Sequence, residues 1–133
     1  MLYVVVGETS VNGLSAGVYQ YIPETHSLVV VKSGDFRQRV AVACLNQTFI
    51  QDAPVSIVIA CEYERTTVRY GERGRRYVHM EAGHAGENIY LQAGALQLGT
   101  VVVGAFLDAD LQQALGLPEE HDPLYVMPVG YPG

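Results

Sequence analysis

The stretch with the most chemical content is Leu96–Phe106, LQLGTVVVGAF. A helix-like run stops at Gly99, four β-branched residues follow, and Gly104 stands at their exit just before new helical spacing begins. A glycine there serves turn geometry, or it lets a flat group lie against backbone that carries no Cβ. A second group of interest is the arginine-rich segment, with arginines at 65, 69, 73, 75 and 76. Guanidinium forks match phosphate oxygens. Glu62, Glu64 and Glu72 nearly balance them, however, and the segment Glu62–Arg76 reads first as a solvated, ion-paired loop. His79 and His84 are five residues apart and Glu81 and Glu87 six apart. Neither spacing puts a pair on one helix face, so neither reads as a metal site. GxSxG, P-loop and GxGxxG motifs are absent. Cys44 and Cys61 have no CxxC or histidine partner spacing and read as reduced, buried thiols.

The elements that must hold these residues alternate between strand and helix signals. Leu2–Val6 is a continuous apolar run, the mark of a strand buried on both faces. Gly17–Ile22 and Ser27–Lys32 flank Pro23-Glu24-Thr25-His26 as a β-hairpin. Asp35 is placed to cap a helix from Phe36 to about Leu45, and Asp52-Ala53-Pro54 breaks the chain before a buried strand, Val55–Cys61. The longest helical candidate runs from about Arg75 to Leu98, with Ala82, Gly83, Ala85, Gly86, Ala93, Gly94 and Ala95 along it. The glycines among them weaken a helix, while all of these small residues admit another backbone closely. Thr100–Val103 reads as a strand, Asp108–Leu115 as a helix capped by Asp108 and ended by Gly116, and Leu124–Val129 as a last strand. Together they point to one α+β domain over residues 1–133, a mixed sheet covered by helices.

Composition narrows the function classes. The chain is 49% hydrophobic, which fits a packed domain. Its net charge of −6 argues against a broad nucleic-acid surface. No apolar run approaches the ~20 residues that span a bilayer, and the N-terminus lacks a basic signal-peptide region. A cytoplasmic protein is the expectation.

Four stretches, GLSAGVYQYIPETHSLVVV, NQTFIQDAPVSIVIA, RTTVRYGERGRRYVHMEAGHAGENIYLQAGALQLGTVVVGAF and LGLPEEHDPLYVMPVG, follow one another along the chain. In this order and spacing they resemble the C-terminal two-thirds of the FMN-dependent nitroreductase family, in its SagB/ThcOx-type dehydrogenase branch. The resemblance implies an FMN-binding homodimer with flavins at the subunit interface. It also implies hydride transfer through flavin N5, with NAD(P)H or a substrate C–H as donor and a small molecule or peptide as substrate. It puts the N–H of Gly104 at N5 and Val103 along the ring's face. It puts Asn46 or Gln47 at the flavin's polar edge or ribityl chain, without deciding between them. Arg69-Tyr70 falls where azoline-oxidising relatives use a Lys-Tyr pair for proton removal. Tyr70 matches; Arg69 departs, because an arginine stays protonated and cannot become the base. The family's Arg-rich N-terminal helix, its Pro-Ser-Ala-Gly turn and a late basic residue have no counterpart here, unless Arg73, Arg75 or Arg76 substitutes at the phosphate. The resemblance therefore implies a shortened family member or one piece of a longer protein. The rival expectation is a degenerate, flavin-free fold serving as a structural or partner subunit.

Overall fold

The computed structural model describes residues 1–133. Six strands form one sheet in the order β3-β2-β1-β4-β6-β5, and every neighbouring pair is antiparallel. They are β1 (Leu2–Val6), β2 (Gly17–Ile22), β3 (Ser27–Ser33), β4 (Val55–Cys61), β5 (Gly99–Thr100) and β6 (Asp122–Gly130). The apolar run Leu2–Val6 lies inside the sheet between β2 and β4, as its composition demands. Tyr3, Val5 and Val6 are all buried. Each fully buried valine contributes roughly 1.5–3 kcal/mol relative to exposure. The hairpin β2–β3 turns where Pro23 to His26 lie, with a bulge between Val18 and Tyr19.

Alternation along β4 and β6 sorts the helices onto two faces. Val58 and Val126 point into the larger core, with Val40 and Cys44 of the α1 region and Leu111 and Leu115 of α5. Ile59 and Met127 point the other way, onto Ala82 of α4. Thus α1 (Arg37–Ala43), α2 (Thr48–Asp52) and α5 (Asp108–Leu115) share one face, while α4 (Arg73–Ala95) covers the other. No helix is long and apolar enough to cross a membrane.

The structure differs from the sequence reading in five places. The Arg-rich segment is helical: α3 (Glu64–Tyr70) and the start of α4 replace the expected loop. α3 buries none of its residues, so no apolar periodicity announces it. Within that segment one ion pair forms, Arg65 to Glu62 at 2.6 Å. Thr100–Val103 pairs only at Thr100 and, through a single bridge to Val126, at Val103. Asp35 precedes the cap position, which Phe36 occupies, yet its Oδ1 still accepts the Arg37 N–H at 3.2 Å. Asp108 sits in the first turn of α5 behind the cap residue Leu107. There its charge faces the positive helix terminus without capping it. Finally, the small residues of α4 divide by face. Ala82 and Gly86 pack on the sheet, a Cβ at Gly86 lying 3.8 Å from the Met127 sulfur, while Gly83 and Gly94 face open space.

Candidate functional site

The chain after β5 is pinned at two points. Val103 and Val126 exchange backbone hydrogen bonds of 2.9 Å, and the Leu107 N–H donates to the carbonyl of Ala43, at the end of α1, at 2.9 Å. Gly104 and Ala105 lie exposed between those anchors. The Gly104 N–H has no acceptor within the chain. Nor does the backbone demand glycine there. Its φ lies outside the left-handed region, and an added Cβ would meet only the Tyr125 ring, at 3.5 Å, an ordinary contact. The missing side chain therefore clears space on the outside of the protein.

The amide pair reaches the same place. Gln47 Nε2 donates to the Cys44 carbonyl at 2.7 Å and to the Ala105 carbonyl at 3.4 Å, tying the α1–α2 turn to the Gly104 segment. Its amide oxygen has no partner. Leu45 and Asn46 both adopt left-handed backbone, φ 60 and 59. Left-handed backbone costs a non-glycine residue on the order of 1 kcal/mol or more. Asparagine tolerates it better than leucine does, and two in succession hold the Asn46 amide exposed with no internal partner. Val42, Leu45, Phe49, Val101 and Leu107 are all exposed apolar side chains from these same turns. Phe49 and Val101 share a cleft of about 380 Å³. Apolar surface carrying a free backbone donor and free amide groups suits a flat heteroaromatic ring with polar edges.

Val103 is not part of that surface. Its side chain is 5% exposed and belongs to the core beneath α1 and α5. The exposed neighbours Val101 and Leu107 are the side chains available to a ring.

Arg69 and Tyr70 lie elsewhere within one chain. Tyr70 ends α3, exposed, with its ring edge-on to Tyr77 of α4 at 5.3 Å, and Arg69 sits 5.4 Å over the Tyr70 ring. The Tyr125 ring beside Gly104 faces Gly86. Nine residues of helix separate Tyr77 from Gly86, about 13 Å along the axis. Arg73, Arg75 and Arg76 are farther still, and Arg75 stacks 3.9 Å over the Tyr63 ring. None of the α4 arginines faces Gly104 in the same chain.

Two long-range tyrosine–histidine pairs escaped the sequence reading. Tyr63 Oη and His79 Nε2 are 2.6 Å apart under Arg75, and burial together with the neighbouring Cys61 pushes the Tyr63 hydroxyl up to about 12. Tyr3 Oη and His121 Nδ1 lie 2.6 Å apart inside the protein, and burial first of all raises the Tyr3 hydroxyl. Partners 16 and 118 residues apart leave no local signal. The cysteines are both buried free thiols, and burial raises Cys44 to about 11, so it stays protonated at neutral pH.

Known proteins share this fold. A protein assigned to the nitroreductases in Methanocaldococcus jannaschii is 49% identical over 97% of this chain and 64% of its own length. The crystal structure of a protein assigned as a nitroreductase from Anabaena variabilis matches 99% of this chain and 27% of its own, with a TM-score of 0.92 and 32% identity. The NADPH:FMN oxidoreductase from Vibrio harveyi, solved with NAD+, matches 73% of this chain and 46% of its own, with a TM-score of 0.61 and 25% identity. This chain thus spans less than two-thirds of each of these proteins. The family model headed Nitroreductase family matches residues 2–131, and by that match the chain belongs to the nitroreductase family.

Proposed function

We propose that the chain forms the flavin-ring side of an FMN-dependent oxidoreductase. The observation that carries this reading is the exposed, unpartnered N–H of Gly104 at a position where the chain's own geometry has no need of glycine. Family membership and the FMN named in the Vibrio harveyi protein support the choice of flavin. Bound FMN supplies two-electron hydride chemistry, with NAD(P)H or a substrate C–H as donor and a quinone- or nitro-type group as acceptor.

The chain's own residues then have distinct tasks. With FMN bound, the Gly104 N–H would donate toward N5 and favour the charge that reduction places there. The free Gln47 amide oxygen accepts from, and the Asn46 amide both donates to and accepts from, the ring's polar edge. Val101, Leu107 and Leu45 cover apolar ring surface and keep water from it. We assign the protein to the SagB/ThcOx-type branch on the motif series and on Tyr70. Tyr70 serves as the proton-handling group, and Arg69 beside it remains a fixed cation. Both act at Gly104 of a second copy, since within one chain they lie at the far end of α4. A homodimer is supported by the outer face of α4, where Tyr77, Met80 and Leu91 are exposed beside the open Gly83.

The test is the visible absorption spectrum of the purified protein after loading with FMN and removal of unbound flavin. Retention near one flavin per chain, followed by bleaching with NADH or NADPH, is the expected result. A folded protein that retains no flavin overturns the reading and favours a flavin-free structural role.

A further inference from the structure

We infer that the cleft between α1, β3 and α5 binds a phosphate monoester. The cleft has a volume of about 450 Å³ and presents Lys32, Arg39, Gln38, Gln113 and Asp110. That volume lies within the range of small-molecule sites. None of the family-derived site residues lines it.

Two positive charges are held there without a counter-ion. Lys32 Nζ stands 4.4 Å from the centroid of the Phe36 ring, and the Arg39 guanidinium carbon 5.7 Å from the same centroid. The two salt bridges of the chain are Arg37–Asp35 and Arg65–Glu62, so neither cation is paired. Arg39 donates no hydrogen bond within the chain, and Lys32 reaches only the carbonyls of Gln113 and Ala114, both at 3.4 Å. In a chain of net charge −6, two unpaired cations lining one cleft favour an anion there.

The lysine is also specifically seated. Gly116 ends α5 in left-handed backbone, φ 68, and a Cβ there would come within 2.8 Å of the Lys32 side chain. The same glycine that stops the helix leaves the channel in which the lysine stem lies.

The charge and donor types select the ligand. A phosphate monoester carries close to two negative charges at pH 7 and accepts the guanidinium fork, while the side-chain amides of Gln38 and Gln113 add neutral donors. Asp110 lines the same cleft and opposes an anion, so its charge weakens the binding that Lys32 and Arg39 favour. A phosphate there has two possible bearers. Ala43 lines the cleft, and its carbonyl accepts the Leu107 N–H three residues beyond Gly104, so one bearer to test is the phosphate of the flavin mononucleotide proposed above. The other bearer is a separate phosphorylated ligand.

The experiment titrates the full chain with inorganic phosphate and follows the resonances of Lys32, Gln38, Arg39 and Gln113. It is repeated with Arg39→Gln and Asp110→Asn, and FMN and riboflavin affinities are measured on all three proteins. Arg39→Gln is expected to weaken phosphate binding about tenfold or more. Asp110→Asn is expected to tighten it several-fold, a gain that no folding defect imitates. If FMN affinity then falls in Arg39→Gln while riboflavin affinity does not, the bearer is the flavin. If neither flavin responds but phosphate binding does, the bearer is a separate ligand. Should the wild type bind no flavin, the phosphate titration still decides. Unmoved resonances at millimolar phosphate, or phosphate affinities unchanged in both variants, overturn the inference.

Discussion

Gly104→Ala and Gly104→Val separate a glycine kept for a ligand from one kept for the fold. In the protein alone, the first Cβ meets the Tyr125 ring at 3.5 and 3.8 Å and nothing else within 4 Å. The position is exposed and its φ is not left-handed, so alanine leaves unfolding free energy within about 0.5 kcal/mol of wild type. On the proposed reading, a flavin whose N5 accepts from this N–H lies beside the same backbone and would be crowded by the added Cβ. Lifting the ring lengthens the N–H to N5 hydrogen bond, worth about 0.5–1.5 kcal/mol, and strips dispersion contacts from the adjoining ring. Alanine is therefore expected to weaken FMN binding roughly 5- to 10-fold, at about 1.4 kcal/mol per decade. Valine adds two γ-carbons and fixes χ1, which raises the loss to about 100-fold. The assay pairs flavin fluorescence titration with thermal unfolding of the flavin-free protein. Weakened FMN binding in the series Gly, Ala, Val at constant unfolding temperature is the expected pattern. An equal FMN affinity in all three refutes the ring-contact argument. A parallel collapse of unfolding temperature refutes the claim that the fold has no need of this glycine.

Two further predictions concern the scaffold that carries the site. The Arg37 guanidinium foremost, aided by the backbone N–H groups of Glu8 and Arg37, holds the Asp35 carboxyl down to about 2. A depressed carboxylate stabilises the fold fully above its unfolded value near 3.8 and loses that contribution as pH falls toward 2. After allowance for solvent screening, Asp35→Asn is expected to cost about 1 kcal/mol at pH 7 and almost nothing near pH 2, measured by urea unfolding at both; an equal cost at both pH values contradicts the ion-pair account. Tyr3→Phe removes the hydroxyl that meets His121 Nδ1 at 2.6 Å inside the protein. Leaving that ring nitrogen without its partner is expected to cost about 1–3 kcal/mol in urea unfolding, and a loss under 0.5 kcal/mol would show that water reaches the histidine.

What the sequence made legible follows the burial of each element. β1 and β4 are apolar on both faces because both faces are covered, so their boundaries matched the structure, and the β2–β3 hairpin followed from its turn residues. α3 was invisible because its seven residues, ERTTVRY, bury nothing and so carry no period. α2 is five residues long and contributes one buried side chain, Ile50. Gly104 stands out in the sequence because it ends a β-branched run, whereas Asn46 and Gln47 were pointed to only by the family resemblance; that Gln47 reaches the Gly104 segment is a tertiary contact no local pattern announces. That Val103 faces the core was not legible: in a run of three valines, only the pairing with Val126 decides which one turns inward.

The separation of Tyr70 from Gly104 bears on how the site is divided between copies. α4 presents two unlike faces. Ala82 and Gly86 let it settle closely on Ile59, Met127 and Tyr125, and Gly83 opens the opposite side with no heavy atom within 4 Å of its Cβ position. A helix that rests on its own sheet through small residues keeps Tyr77, Met80 and Leu91 on the surface, where water gains nothing from them. Covering that face with the same face of another copy would bury those side chains, and on the proposed dimer it would bring α3, with Arg69 and Tyr70, toward the neighbouring sheet. Such a contact is self-complementary, because a twofold axis brings each residue to its own counterpart's surroundings. On the proposed reading, the ring-binding surface and the proton-handling tyrosine would then come from different chains. On that arrangement Gly83→Arg abolishes turnover while sparing the fold of the single chain, and light scattering reads the loss of the dimer directly. A Gly83→Arg protein that stays dimeric and active would place the shared face elsewhere than on α4.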